Sequence, residues 1–86
     1  MHEMSIAMEV CRIAERQVGR EAVGGVVAVG VEVGDDAGVE IGSLAFCLDA
    51  LLAAPPFGGA KPVITRLKGD VLRVSYLEVD DGRPDD

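Results

Sequence analysis

The residues best suited to chemistry stand at the start of the sequence, Met1-His2-Glu3-Met4-Ser5. A free α-amine on Met1, the peptide nitrogen of His2 and the His2 imidazole can close fused chelate rings around one metal ion. Three nitrogen donors of this kind suit Ni(II) or Cu(II), which favour square-planar or tetragonal N/O fields. Glu3 can add a fourth donor, either its backbone nitrogen or a carboxylate oxygen. A peptide nitrogen must lose its proton to bind, so the site is expected to release protons on binding and to strengthen with pH. Methionine is ordinarily trimmed only before small residues, and His2 is not small, so Met1 is expected to be retained. The same three residues also begin proteins by chance, with a histidine that is merely solvated.

Other chemistries find little support. The chain holds one histidine, and no nucleophile–base pair stands out. The paired aspartates Asp35-Asp36 and Asp80-Asp81 fall in a turn and a tail, where such pairs are ordinarily solvated. The glycines of Gly34-Asp35-Asp36-Ala37-Gly38 lack the lysine and the helix opening of a phosphate-binding loop. Cys11 and Cys47 are too few and too scattered for a disulfide scaffold, and no CxxC pair offers a zinc site. With 8 basic and 15 acidic residues, a net charge of -7 and 3% aromatics, a nucleic-acid partner is excluded. Such a partner needs a basic patch and, for single strands, stacking rings. No signal peptide is expected, and the longest apolar stretch, Leu44 to Phe57, is broken by Asp49, Pro55 and Pro56. A cytoplasmic, non-membrane, non-enzymatic protein is expected.

The elements that must position the N-terminus can be read from periodicity. Residues 5 to 18 predict a helix, with Ile6, Val10, Ile13 and Ala14 on the apolar side and Ser5 as a possible cap. Cys11 falls on that apolar side and reads as a buried small hydrophobe. Residues 26 to 33 alternate Val27, Val29, Val31 and Val33 with smaller or polar residues, a strand with one apolar face. A second helix is predicted over 40 to 54, ended by Pro55-Pro56. Two strands follow, 61 to 68 and 71 to 79, joined at Gly69-Asp70 as an antiparallel hairpin. The class is therefore α+β, order α-β-α-β-β, with two helices on one face of a three-stranded sheet. Residues 1 to 79 form a single domain, and Asp80 to Asp86 read as an acidic, disordered tail. Apolar residues fall on both faces of the last strand, Val71, Leu77 and Val79 against Leu72, Val74 and Tyr76. That pattern predicts an edge or face covered by another chain, giving either a homodimer or a docking surface for a partner protein.

Three segments carry a resemblance. Residues 1 to 7 (MHEMSIA), 29 to 52 (VGVEVGDDAGVEIGSLAFCLDALL) and 69 to 81 (GDVLRVSYLEVDD) together resemble the HypA/HybF family of nickel metallochaperones. Members open Met-His-Glu-x-Ser and assist nickel insertion into nickel-iron hydrogenase and, in some organisms, urease. The resemblance implies transient Ni(II) binding through Met1, His2 and Glu3, and an acceptor metalloenzyme or accessory maturation protein as partner. It also implies a carboxylate near the start of the second helix, where Glu40 stands and could reach the metal or cap the helix. One departure is large. Family members carry a zinc domain with two CxxC pairs between the last two strands, whereas here Leu67-Lys68-Gly69-Asp70-Val71 runs directly from one to the next. No structural zinc is therefore expected. The same departure leaves a second expectation open, a zinc-free paralogue acting as a scaffold or interaction module in metalloenzyme assembly.

Overall fold

The computed structural model describes residues 2–80. Helix α1 spans Glu3–Val18, strand β1 Val26–Gly34, helix α2 Ile41–Ala53, strand β2 Lys61–Leu67 and strand β3 Leu72–Val79. A single 3-10 turn, Val23–Gly25, leads into β1. The predicted class and order hold. Helix α1 begins two residues earlier than its apolar pattern predicts, with His2 rather than Ser5 at the cap position. That shift puts Glu3 in the first helical turn.

The sheet order is β2-β1-β3, with β2 parallel and β3 antiparallel to β1. The expected hairpin between β2 and β3 is thus corrected, because these strands flank β1 on opposite sides. The physical reasons lie in β1 and β2. Helix α2 is the crossover of a β1-α2-β2 unit, which places β2 parallel beside β1. Pro62 confines β2 to an edge, and the Val-rich β1 has a second side to fill. The short connection through Gly69 then crosses the end of β1. There the Gly34 N–H donates to the Val71 carbonyl at 2.6 Å, Asp35 to Leu67 at 2.8 Å and Asp36 to Gly69 at 2.9 Å. A side chain on residue 34 would overlap the Gly69 carbonyl. Glycine is what lets the chain cross.

One face of the sheet carries the core. Val29, Val31 and Val33 of β1 are fully buried, as are Leu44, Leu48 and Leu52, which recur every fourth residue along α2. Ala7, Val10 and Ala14 of α1 close the layer, small enough for the two helices to approach. Each of the buried leucines stabilises the fold by about 1.5–3 kcal/mol relative to an exposed position. Cys11 is half-buried rather than buried, and desolvation, with the charge of Glu15 second, raises its pKa.

The two apolar sets expected on β3 also need correction. Leu77 pairs with Val29 and Val74 with Val31, so Ser75 is a bulged residue with no opposite number. The bulge brings Val74 onto the same face as Leu77, where both pack against the core. Tyr76 pairs with Gly30 on the other face, and its ring occupies the space a side chain at residue 30 would need. Of the expected acidic tail, residues 81–86 lie outside the described residues.

Candidate metal centre

The N-terminal segment is held by the start of α1. His2 is extended (φ −83°, ψ 104°), and its carbonyl accepts the Ile6 N–H at 3.2 Å, the first bond of the helix. Its imidazole makes no capping bond and has no hydrogen-bond partner among the described residues. It stands exposed at one end of a groove of about 420 Å³ between α1 and β3, shared with Ser5, Ile6, Glu9 and Leu72. Met1, the expected amine donor, lies outside the described residues.

Glu3 turns the other way, towards α2. Its carboxylate accepts the backbone N–H of Glu40 at 3.0 Å. That bond, followed by one from its own backbone N–H, holds the Glu3 carboxyl below its ordinary value of 4.5. Glu40 in turn is the cap residue of α2, where its carboxylate accepts the Ser43 N–H. The Ser43 bonds, backbone first and hydroxyl second, likewise lower the Glu40 carboxyl. The two acids expected at the site are therefore neighbours through the main chain. Of the two roles open to Glu40 in the sequence, its carboxylate is found in the capping one.

Among the described residues no three His, Cys, Asp or Glu side chains converge on one point. The donor set argued from the sequence is of another kind, one imidazole with main-chain nitrogens. The first four N–H groups of a helix have no partner within it. The peptide nitrogens of His2 and Glu3 thus sit where a lost proton breaks no helical bond. Sequence reasoning passed over Glu9, which lines the same groove as His2. The signal was its spacing, seven residues on and hence on the same helix face. Its carboxylate is held by Arg12 at 2.7 Å.

A family model described as "Hydrogenase/urease nickel incorporation, metallochaperone, hypA" matches residues 1–73. The chain belongs to the HypA family. It is 39% identical over 69 residues to a hydrogenase maturation factor HypA of Azotobacter chroococcum mcd 1, covering 80% of this chain and 61% of that protein. It is likewise 39% identical over 69 residues to that of Geobacter metallireducens, covering 80% and 60%. To the HypA of Chlorobaculum parvum it is 41% identical over 64 residues, covering 74% and 57%. The chain thus spans about three fifths of the length of these curated relatives. The family match ends at Arg73, so it takes in His2, Glu3 and Glu40 and the whole crossing at Gly34 but only the first residues of β3. Among the described residues no helix is long and apolar enough to cross a membrane.

Proposed function

We propose that this HypA-family chain is a nickel carrier that serves the maturation of a nickel metalloenzyme of the hydrogenase type. The ion is its cargo. The donors are the Met1 amine, the peptide nitrogen and imidazole of His2, and the backbone nitrogen of Glu3. The observation that carries this reading is the division of labour at the start of α1. The His2 imidazole is exposed and, among the described residues, unpartnered, while the Glu3 carboxylate is engaged by the Glu40 N–H. Glu3 is thereby fixed with its amide, rather than its carboxylate, at the helix end.

The electrostatics favour such a site. Two deprotonated amides neutralise a divalent ion, so the complex places no net cation against the partial positive charge of a helix N-terminus. Glu40 acts as a positioning residue, through the N–H that holds Glu3 and the carboxylate that caps α2. The acceptor enzyme, or an accessory maturation protein, is the partner to which the ion passes, and no catalysis by the chain itself is involved. Titration of untagged protein with Ni(II) tests the reading. One ion per chain bound by the native protein and lost in His2→Ala supports it, and equal binding by both leaves the scaffold reading in its place.

A further inference from the structure

Of the three methionines and two cysteines in the chain, only Met1 has a part in the site ahead of α1. The other four gather on one seam. Met4, Met8 and Cys11 follow one another at spacings of four and three along α1, which puts them on one stripe of the helix. That stripe does not face β3, because the groove there is lined by His2, Ser5, Ile6, Glu9, Val10 and Ile13. It flanks the buried Ala7 and Ala14 on the other side, where α2 lies. Met4 and Met8 are 44% and 50% exposed, and Cys11 is half-buried. Cys47 meets the stripe from α2. It stands seven residues after Glu40 and so on the same side of its helix, and Glu40 is the residue whose N–H the Glu3 carboxylate holds. Both helices run antiparallel to β1, since α1 turns back into it and α2 is the crossover to the parallel β2. They are therefore parallel to each other, and the Glu3–Glu40 bond sets them level. At 1.5 Å per residue, Cys11 lies about 12 Å beyond Glu3 and Cys47 about 10.5 Å beyond Glu40. The two free thiols thus stand at one height on facing flanks, both half-buried.

We propose that Cys11 and Cys47, with the thioether of Met8 as third donor, form a second metal site that takes a soft monovalent cation, Cu(I). Thiolate and thioether sulfur select Cu(I), whereas the amine, amide and imidazole nitrogens ahead of α1 suit Ni(II). The two sites divide metals by the softness of their donors. Among the described residues no third thiol, carboxylate or imidazole converges on the seam, and Met8, one turn before Cys11, fills that place. Two thiols and one Cu(I) give a bis-thiolate complex and two released protons, with no change of oxidation state. The ion enters from solvent past the exposed Met4 and Met8. Once bound, it ties α1 to α2 a second time, two turns on from the Glu3–Glu40 bond. The proposal stands apart from the nickel reading, since the two sites share no donor.

Competition with a chromophoric Cu(I) chelator tests the site, run without oxygen on the reduced, untagged, metal-free chain. One Cu(I) per chain is expected at every protein concentration, with a higher melting temperature once loaded. Bound Cu(I) should also block alkylation of both cysteines by iodoacetamide. Cys47→Ala should weaken binding by roughly a hundredfold or more and Met8→Leu by roughly tenfold, the two ends of what losing a supporting residue costs at a metal site. A chain with one residue added before Met1 should hold Cu(I) as tightly as the native one, which separates this site from the nickel donors. Cys11→Ala should behave as Cys47→Ala does, and circular dichroism melts of the metal-free variants show that they are folded. If Cys11→Ala does not fold, Cys47→Ala alone against the native chain decides. No Cu(I) retained by the native chain, equal retention by Cys47→Ala, or one ion shared between two chains overturns the proposal.

Discussion

The carboxylate of Glu3 accepts the backbone N–H of Glu40 at 3.0 Å, across 37 positions of sequence. One bond thus pins the first turn of α1 to the cap residue of α2. It ties the segment that carries His2 to the core leucines behind Glu40.

This bond and the Glu40 cap give the fold a defined acid limb. Both carboxyls are held below 4.5 in the folded chain, chiefly by the Glu40 N–H on Glu3 and the Ser43 N–H on Glu40. A group whose folded pKa is lowered contributes stability above its unfolded value and loses it as pH falls through the folded value. Melting temperature should therefore fall as pH drops below about 4.5, and Glu3→Gln and Glu40→Gln should each flatten that fall. Melts between neutral pH and pH 3 measure it. An unchanged acid limb in both variants would contradict the assignment.

Gly34 marks the crossing of the β2–β3 connection over the end of β1. Gly34→Ala puts a methyl into the Gly69 carbonyl and within 2.6 Å of the Val71 nitrogen, main-chain atoms that cannot swing aside. A loss of about 1–3 kcal/mol is expected, as for other overpacked sites. Gly24→Ala is the control, since its added carbon meets the Pro56 carbonyl at an ordinary 3.7 Å. Urea unfolding of the two variants makes the comparison, and equal stability would mean the connection does not cross there.

Metal removal should leave the fold untouched. The chain has no CxxC pair, and its two cysteines lie in different helices. A structural zinc would contribute folding energy outright, so a chain that holds none is expected to melt at the same temperature with and without a strong chelator. A chelator-induced drop of several degrees would reveal a ligand set shared between chains.

The elements and their layering were legible because each obeys a single period. Leucines every fourth residue in α2 survive into the core, as do Val29, Val31 and Val33 of the β1 alternation, whereas Val27, expected on the same face, is exposed because the register to β3 shifts between Val26 and Ala28. Strand order was not legible from the Gly69-Asp70 turn, because a short connection between strands reads as a hairpin whichever strand lies between them. The deciding residues were Gly34, which lacks the atom that would block the crossing, and Pro62, which holds β2 at an edge. The bulge at Ser75 was hidden for a similar reason, since a one-residue slip moves side chains to the opposite face without altering composition. At the N-terminus the sequence yielded the donor types. It could not reveal that Glu3 faces α2, because that depends on a main-chain N–H in a distant part of the chain.

On the function proposed above, the ion is held ahead of α1 by the Met1 amine and its neighbours. Nickel titration of the native chain against a version with one residue added before Met1 tests this most directly, with melting temperature as the check on folding. One Ni(II) per native chain, proton release on binding, and no specific binding by the equally stable extended chain are the predicted results. An extended chain that binds one nickel as tightly as the native one would rule out the Met1 amine as a ligand.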